Sequence, residues 1–149
     1  HEIRILNLYL NIMKARFENS LRIKVEIEKS TEKALVPVLL LQPLVENSIK
    51  HSSNRTDHVT QILVSSRKSA DRLQLIVRDN GPGLSTDSDK PAKDGIGLKT
   101  TRDRLSQLYG KKHDFKMGNL ESGGLEVEMI IPCTRGTGGI DESEDTCRR

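Results

Sequence analysis

Apolar and polar residues follow regular patterns along most of the chain, and these patterns predict five strands and three helices. Residues 21–28 alternate between apolar and charged, which is typical of a strand with one buried face. Similar stretches predict four more strands, at 59–67, 72–79, 114–120 and 124–132. Apolar residues spaced by three and four predict helices over 2–20, 37–52 and 98–109. Helices clustered with antiparallel strands indicate an α+β fold, a two-layer sandwich whose sheet buries one face against the helices.

The first predicted helix carries two apolar stripes. One consists of Ile5, Leu8, Ile12 and Ala15, and the other of Leu6, Tyr9, Met13 and Phe17. Such a helix either packs on the core or links the domain to a preceding segment. We divide the chain into a linking helix at 1–20, a globular domain at 21–133 and a tail at 134–149. The tail is Gly-rich and then acidic, so we expect it to be disordered.

Composition narrows the classes of partner. The 149 residues suit one domain. The formal net charge of +3 favours an anionic ligand without demonstrating one. Two Phe, two Tyr and no Trp leave few rings for stacking on bases, so no nucleic acid is expected as a partner.

No apolar run reaches the ~18 residues of a membrane span. The start at His1 instead of a methionine indicates an excised fragment.

One face of the second predicted helix carries polar groups suited to a metal-phosphate ligand. Asn47, Lys50 and His51 are spaced by three and four residues, so they share that face. An Asn oxygen can ligate Mg²⁺, and an ammonium group can neutralise phosphate charge. The alternative is a solvated face on which Glu46 pairs with Lys50. Pro43 lies inside this predicted helix, where it should remove a hydrogen bond and produce a kink.

A glycine-rich turn follows the strand predicted at 72–79. The run is Asp79-Asn80-Gly81-Pro82-Gly83. An Asp at the end of a buried strand is costly unless it is satisfied, and it could accept a hydrogen bond from an amino group such as that of adenine. The glycines Gly81 and Gly83 would let the backbone pass close to a planar base. The alternative is an ordinary turn after a strand.

A second glycine-rich segment, Gly95-Ile96-Gly97, leads into the third predicted helix through Leu98, Lys99 and Thr100. Glycines before a helix N-terminus can form a phosphate site from backbone N–H groups and the helix dipole. The spacing is neither the dinucleotide fingerprint nor a P-loop. The polar stretch 85–94 before it is expected to be a mobile loop. The basic residues Lys99, Arg102 and Arg104 follow on this helix. The alternative for them is a solvated basic face, which we favour for Arg102.

Together these segments resemble the nucleotide site of the GHKL superfamily, with an N box at Asn47, a G1 box at Asp79–Gly83, a lid, and a G2 box at Gly95–Gly97. The resemblance is closest to LytS-type sensor histidine kinases and spans residues 2–132. Three runs carry it: Tyr9-Leu10-x-Ile12-x-x-x-Arg16-Phe17, Leu41-Gln42-Pro43-Leu44-Val45-Glu46-Asn47-Ser48-Ile49-Lys50-His51, and Gly95-Ile96-Gly97-Leu98-x-x-x-x-x-Arg104-Leu105-x-x-Leu108-Tyr109-Gly110.

The resemblance implies a mixed, mostly antiparallel sheet of the Bergerat type and a site for ATP and Mg²⁺. It implies that Asn47 holds Mg²⁺ through ATP, that Asp79 binds the adenine amino group, and that Lys50 and His51 lie near the phosphates. The remaining nucleotide-binding residues implied by the boxes are Gly81, Gly83, Gly95, Ile96, Gly97, Leu98 and Thr100.

The implied activity is that of a histidine protein kinase. The hydrolytic branch of the superfamily has a Glu four residues before the Asn, and this chain has Pro43 there, which favours transfer to a histidine over hydrolysis. None of its four histidines, His1, His51, His58 and His113, stands in the family's Asn-Pro-His-Phe acceptor motif. We therefore expect the acceptor on a segment outside this chain, and no autophosphorylation by the fragment. No catalytic residue is assigned with certainty.

The same resemblance implies the partners. These are the phosphoacceptor and dimerisation segment, a response regulator, and a second copy in a homodimeric parent. The parent would be a bacterial protein anchored in the membrane through upstream segments, with this domain in the cytoplasm. Two alternatives remain open. One is a nucleotide-sensing module without catalysis, and the other is a serine kinase of the anti-sigma-factor type, which the Gln42–Asn47 run disfavours.

Overall fold

The computed structural model describes residues 2–17, 20–52, 59–84 and 96–134. In this part of the chain, three α-helices and five β-strands form the fold. The helices are α1 (Glu2–Phe17), α2 (Gln42–Ser52) and α3 (Ile96–Tyr109). The strands are β1 (Leu21–Ile27), β2 (Thr60–Ser69), β3 (Arg72–Asp79), β4 (Asp114–Asn119) and β5 (Leu125–Pro132). Short 3₁₀ helices lie at Lys29–Thr31 and Gly110–Lys112.

The five strands form one mixed sheet in the order β1-β2-β3-β5-β4. Strands β1 and β2 are parallel, and the other three pairs are antiparallel. The parallel pair needs a crossover connection, which α2 supplies. The predicted α+β class, the element order and the mostly antiparallel sheet are all confirmed.

Alternation along β3 decides which face of the sheet each side chain occupies. Leu73, Leu75 and Val77 are buried in the core together with Val64 of β2 and Val127 of β5, and Val77 pairs in register with both of these valines. Because successive side chains of a strand point to opposite faces, the residue two positions after Val77 lies on the same face as this core. The strand therefore delivers its last residue, an aspartate, to the core-facing side of the sheet.

Helix α1 packs on the core with one of its two stripes. Leu6 of the second stripe is buried, and Tyr9, Met13 and Phe17 of that stripe pack against the core. Leu8 and Ile12 of the first stripe are 60% and 64% exposed. The helix therefore packs on the domain, which is the first of the two interpretations of its sequence. The division into a linking helix, a domain and a tail stays a prediction, and the tail beyond residue 134 lies outside the described residues.

The start of α2 corrects one prediction. The helix begins at Gln42 and not at Pro37, so Pro43 lies in the first turn, where a missing N–H breaks no hydrogen bond. The preceding backbone is held by long-range contacts. The buried Glu2 carboxylate accepts hydrogen bonds from Leu39 N at 2.6 Å and Leu41 N at 2.8 Å, and Leu39 has a φ of 59°.

Other boundaries differ from the prediction by one to three residues. Strand β2 runs on to Ser69, so a two-residue turn, Ala70-Asp71, connects it to β3 instead of a four-residue link. Helix α3 begins at Ile96, two residues earlier than predicted. None of the helices in the described ranges is long and apolar enough to cross a membrane.

Candidate functional site

Asp79 ends β3 on the core-facing side of the sheet and is 8% exposed. Its carboxylate atom Oδ1 accepts a hydrogen bond from Gly81 N at 2.9 Å and a longer one from Leu125 N at 3.3 Å. Hydrogen bonds from backbone N–H groups compensate a carboxylate for the water it loses on burial. As predicted, the buried carboxylate has hydrogen-bond partners, one from its own turn and one from β5.

Gly81 lies where no side chain fits without displacement. A Cβ atom added there would lie 2.8 Å from the Ser52 hydroxyl oxygen and 2.9 Å from Asp79 Oδ1. Ser52 is the last residue of α2 and is 4% exposed. The glycine thus lets the end of α2 and the end of β3 approach each other around the aspartate, which is a close backbone approach of the kind the sequence suggested.

Two asparagines clamp the turn that follows Asp79. The side chain of Asn80 accepts from Gln61 N at 2.8 Å and donates to Val59 O at 2.9 Å. The side chain of Asn119, at the end of β4, accepts from Leu84 N at 2.6 Å and donates to Leu84 O at 3.0 Å. These side-chain to backbone hydrogen bonds hold both ends of the turn.

The β4–β5 turn closes on the same aspartate. Gly124 has a φ of +105°, and a Cβ atom there would lie 1.8 Å from the Asp79 carbonyl oxygen. Only glycine fits such a position, since both the φ and the contact exclude a side chain. This glycine places Leu125 N against the Asp79 carboxylate. Gly83 is constrained in a similar way, with a φ of +73° and Asn119 Oδ1 at 2.5 Å from its added Cβ.

The predicted polar face of α2 is partly exposed to solvent. Leu44, Val45 and Ile49 are buried as predicted, whereas Asn47 is half-buried and Lys50 and His51 are exposed. Glu46 accepts a hydrogen bond from the Gln42 side chain at 2.8 Å. The alternative Glu46–Lys50 ion pair is not among the ion pairs of the described residues.

The start of α3 meets the start of α2. A Cβ atom added at Gly97 would lie 3.6 Å from both Cβ and O of Pro43, which is ordinary van der Waals contact. Leu98 is buried in the core at 3% exposure, and Thr100 is exposed. Thr101, which the sequence did not single out, is buried and donates to Gly97 O at 2.9 Å.

The predicted residues thus fall into two groups. Asp79, Gly81 and Gly83 lie at the joint ends of β3, α2 and the β4–β5 turn, which we call the carboxylate end. Asn47, Lys50 and His51 lie along α2, whose first turn contacts the start of α3 through Pro43 and Gly97, and we call this face of α2 the amide end. Gly95, His58 and the predicted loop at 85–94 lie outside the described residues, as does the side chain of Ile96.

A groove of about 510 Å³ lies along β1, β2 and β3 and reaches Asp79 and Asn80. It is lined also by charged side chains that include Arg22, Lys24 and Arg78, but not by residues of α2 or α3. It therefore does not join the carboxylate end to the amide end. Within the described ranges, no three His, Cys, Asp or Glu residues cluster as they would around a protein-bound metal.

Comparison with known proteins decides the family. The family described as histidine kinase-, DNA gyrase B-, and HSP90-like ATPase matches residues 31–135. The chain belongs to this ATPase family. The matched span contains both ends of the candidate site, and the family predicted from the three motif runs is confirmed.

Relatives within this ATPase family include sensor kinases. The chain is 30% identical over 140 residues to the sensor protein LytS of Enterococcus faecalis, covering 88% of this chain and 24% of that protein. It is 29% identical over 133 residues to the sensor histidine kinase YesM of Bacillus subtilis, covering 89% and 23%. The chain therefore spans about a quarter of each relative, and the predicted similarity to LytS-type proteins is confirmed.

A solved structure agrees with the ATPase fold. The nucleotide-free catalytic domain of histidine kinase ThkA superposes with a TM-score of 0.63 over 88% of this chain and 92% of that domain, at 16% identity. At this identity the likeness establishes the fold. The predicted Bergerat-type sandwich is confirmed by it.

Some residues of the carboxylate end were missed by sequence reasoning. The sequence patterns place Gly124 only at the start of a predicted strand and Ser52 only at the end of a predicted helix. Asn119 carried no motif at all. Each acts through a partner more than 25 positions away, and no local pattern reports such contacts.

Proposed function

We propose that this chain is the ATP-binding catalytic domain of a sensor histidine kinase, which transfers the γ-phosphoryl group of ATP to a histidine on another segment. The observation that supports this most strongly is the buried Asp79 carboxylate, held by backbone N–H groups beside the close contact of Gly81 and Ser52. Family membership supplies the ATPase context.

The carboxylate end suits the base of the nucleotide. Asp79 is an acceptor, and two backbone donors already occupy Oδ1, so its remaining acceptor capacity is available for an exocyclic amino group. Adenine has such a group, whereas guanine has a carbonyl oxygen at the same ring position. The clamps at Asn80 and Asn119 hold the turn in place before the ligand arrives, which lowers the entropy cost of binding.

The amide end suits the phosphates. Asn47 offers one oxygen ligand, and Mg²⁺ commonly takes its other ligands from phosphates and water, so the donor set fits a metal that enters with ATP. Bound there, Mg²⁺ would neutralise charge on the transferred group. Lys50 and His51 are exposed on the same helix face, where they can reach anionic oxygens without losing an existing partner.

The residue one helical turn before Asn47 favours phosphoryl transfer over ATP hydrolysis. That residue is Pro43, which packs against Gly97 and has no proton acceptor in its side chain. Glu46 is exposed and hydrogen-bonded to Gln42. No carboxylate is thus placed in α2 to activate water, whereas the imidazole of an acceptor histidine is nucleophilic at neutral pH without such help.

The proposal includes the partners implied by the relatives. The acceptor histidine would lie on a dimerisation segment of a homodimeric parent, and the phosphoryl group would pass to a response regulator. The parent would be anchored in the membrane, with this domain on the cytoplasmic side. These statements rest on similarity to sensor kinases that are about four times as long as this chain.

The test is phosphorylation in trans. The chain is incubated with Mg²⁺ and ATP labelled at the γ-phosphate, together with a separately produced acceptor segment from a LytS-type kinase. We expect acid-labile, base-stable label on the acceptor and none on the chain. Asn47→Ala serves as the inactive control. An acceptor that a reference catalytic domain labels but this chain does not would contradict the kinase assignment.

One of the two alternatives is a nucleotide-sensing module. It would bind ATP with the same dependence on Asp79 but would label no acceptor. Titration of the same preparation with ATP separates the two outcomes. A sensing module would bind ATP without transferring its γ-phosphoryl group, whereas a kinase would do both.

A further inference from the structure

A cavity of about 120 Å³ lies toward the opposite end of the sheet from Asp79. Ile27, Ser66 and Leu75 line it side by side, since they are neighbours in register across β1, β2 and β3. Leu73, which also lines it, precedes Asp79 on the same strand by about 20 Å. None of the residues that we placed at the carboxylate end or the amide end lines this cavity. It is therefore separate from the candidate nucleotide site.

The walls of the cavity are mainly apolar. Ile3, Leu41 and Leu73 are among its lining residues, and both leucines are fully buried. The hydroxyls of Thr31 and Ser66, which also line it, are hydrogen-bonded to each other. The volume equals that of about four water molecules, but each water needs at least two polar partners. Because few polar groups are left for water, a molecule with an apolar body fills this space better.

Glu2 brings a buried charge to the cavity. It is 4% exposed, and its carboxylate accepts hydrogen bonds from Leu39 N and Leu41 N. A carboxylate has about four acceptor positions, so about two remain. Buried carboxylates are normally paired with a cation. Within the described ranges, however, Glu2 takes part in no ion pair, and no Lys, Arg or His lines the cavity. The charge is therefore suited to a cation supplied by a ligand.

The entrance of the cavity carries charge of the same sign. Glu32 and Leu35 line the cavity and are exposed, so the cavity reaches the protein surface. Glu32 and Glu2 are the charged residues of its lining in the described part of the chain, and both are acidic. Two carboxylates attract cations and repel anions. Charge and shape together favour a ligand with one positive group and an apolar body.

We propose that this cavity binds a small primary amine, whose ammonium group pairs with the Glu2 carboxylate and whose hydrocarbon body packs against Ile27 and Leu73. A dry cavity of roughly 150 Å³ holds benzene, so this one accommodates a body of about four or five carbons. The same carboxylate holds the backbone directly before α2, so the amine binds beside the connection into the helix that carries Asn47. The site involves no nucleotide, so it stands whether or not the proposed function holds.

The first test compares two ligands of the same shape. Isopentylamine carries an ammonium group at neutral pH, and isopentanol carries a hydroxyl in its place. In titration calorimetry of the unmodified chain, we expect the amine to bind about tenfold more tightly than the alcohol. At a concentration about tenfold above its Kd, the amine should raise the melting temperature by about 2–4 °C. Equal affinities would overturn the proposal. So would the absence of binding by the folded chain at about 10 mM amine.

Two variants test whether the amine occupies this cavity. Ala34 is a half-buried lining residue, so Ala34→Leu should fill the space and abolish binding of both ligands. Ala15→Leu, on the exposed face of α1, is the matched control and should keep both. Glu2→Gln removes the charge and should weaken amine binding about tenfold while leaving alcohol binding unchanged.

Circular dichroism checks that each variant folds, because Glu2→Gln also removes one acceptor from the backbone before α2. If either variant fails to fold, the other variant and the comparison of amine with alcohol decide. Amine binding that survives in folded Ala34→Leu would overturn the proposal, as would equal losses of amine and alcohol binding in folded Glu2→Gln.

Discussion

The two ends of the candidate site differ in how much of their geometry the chain supplies by itself. At the carboxylate end, Asp79 accepts hydrogen bonds from two backbone N–H groups. Two asparagines, Asn80 just after β3 and Asn119 at the end of β4, fix the adjoining turn. At the amide end, Lys50 and His51 are exposed and Asn47 is half-buried.

This difference follows from what each end would bind. A planar base gains from a rigid, preformed slot, since no entropy is then lost in building it. Phosphates and Mg²⁺ bring their own charge and ligands, so flexible cations on one helix face are sufficient until they arrive. We therefore expect changes at the carboxylate end to affect folding and base recognition, and changes at the amide end to affect only metal-dependent binding.

The largest effect is expected from Gly124→Ala. The new Cβ would lie 1.8 Å from the Asp79 carbonyl oxygen at a φ of +105°, so the β4–β5 turn must move. We expect a loss of more than about 3 kcal/mol in the free energy of unfolding, measured by urea denaturation. Gly118→Ala is the control, since nothing lies within 4 Å of its added Cβ. Equal stability of the two variants would contradict the close contact at Asp79.

A smaller effect is expected from Gly81→Ala. Its Cβ would meet the ends of two side chains, Ser52 and Asp79, and these can shift by a few tenths of an ångström. We expect the chain to fold and to bind ATP about tenfold more weakly, because the carboxylate is displaced. Titration calorimetry measures the affinity, and circular dichroism checks the fold. Unchanged affinity would show that the carboxylate end is less rigid than its contacts indicate.

Asn47→Ala addresses the amide end. We expect ATP affinity without Mg²⁺ to stay within about twofold of the unmodified chain, and the gain on adding Mg²⁺ to fall about tenfold. Gln42→Ala, on the same helix, should keep that gain. Titrations with and without Mg²⁺ measure both quantities. A loss of Mg²⁺-free binding in Asn47→Ala would show that the two ends are not separable.

The smallest effect is expected from Gly97→Ala. Its Cβ would make an ordinary contact with Pro43, and alanine favours a helix over glycine. We expect the free energy of unfolding to stay the same or rise by up to about 1 kcal/mol. A loss of stability in urea denaturation would show that Gly97 is sterically required, as Gly124 is expected to be.

The sequence predicted the fold and the amide end more completely than the carboxylate end. Alternation and helical spacing are local patterns, and they located all five strands and the polar face of α2. The start of α2 was predicted too early, because Pro37 is a good first residue of a helix, whereas the structure ties Leu39 and Leu41 to Glu2 instead. A carboxylate almost forty positions away leaves no local signal.

The carboxylate end was predicted only in part for the same reason. Asp79 and its glycines form one continuous run, so a motif could report them. Ser52, Asn119 and Gly124 come from three other elements and meet Asp79 or its turn only after the sheet has formed. Their roles depend on tertiary contacts, which are visible only in the folded chain.

The most direct test of the central claim is titration calorimetry of ATP with the unmodified chain and with Asp79→Asn. The asparagine keeps the shape and one acceptor for the N–H groups of Gly81 and Leu125, but its NH₂ group would face the adenine amino group. We predict that ATP binds the unmodified chain and binds Asp79→Asn about 30-fold more weakly, with or without Mg²⁺. Equal ATP affinity in the two proteins, or no binding by the folded unmodified chain, would contradict the assignment of the carboxylate end to the base.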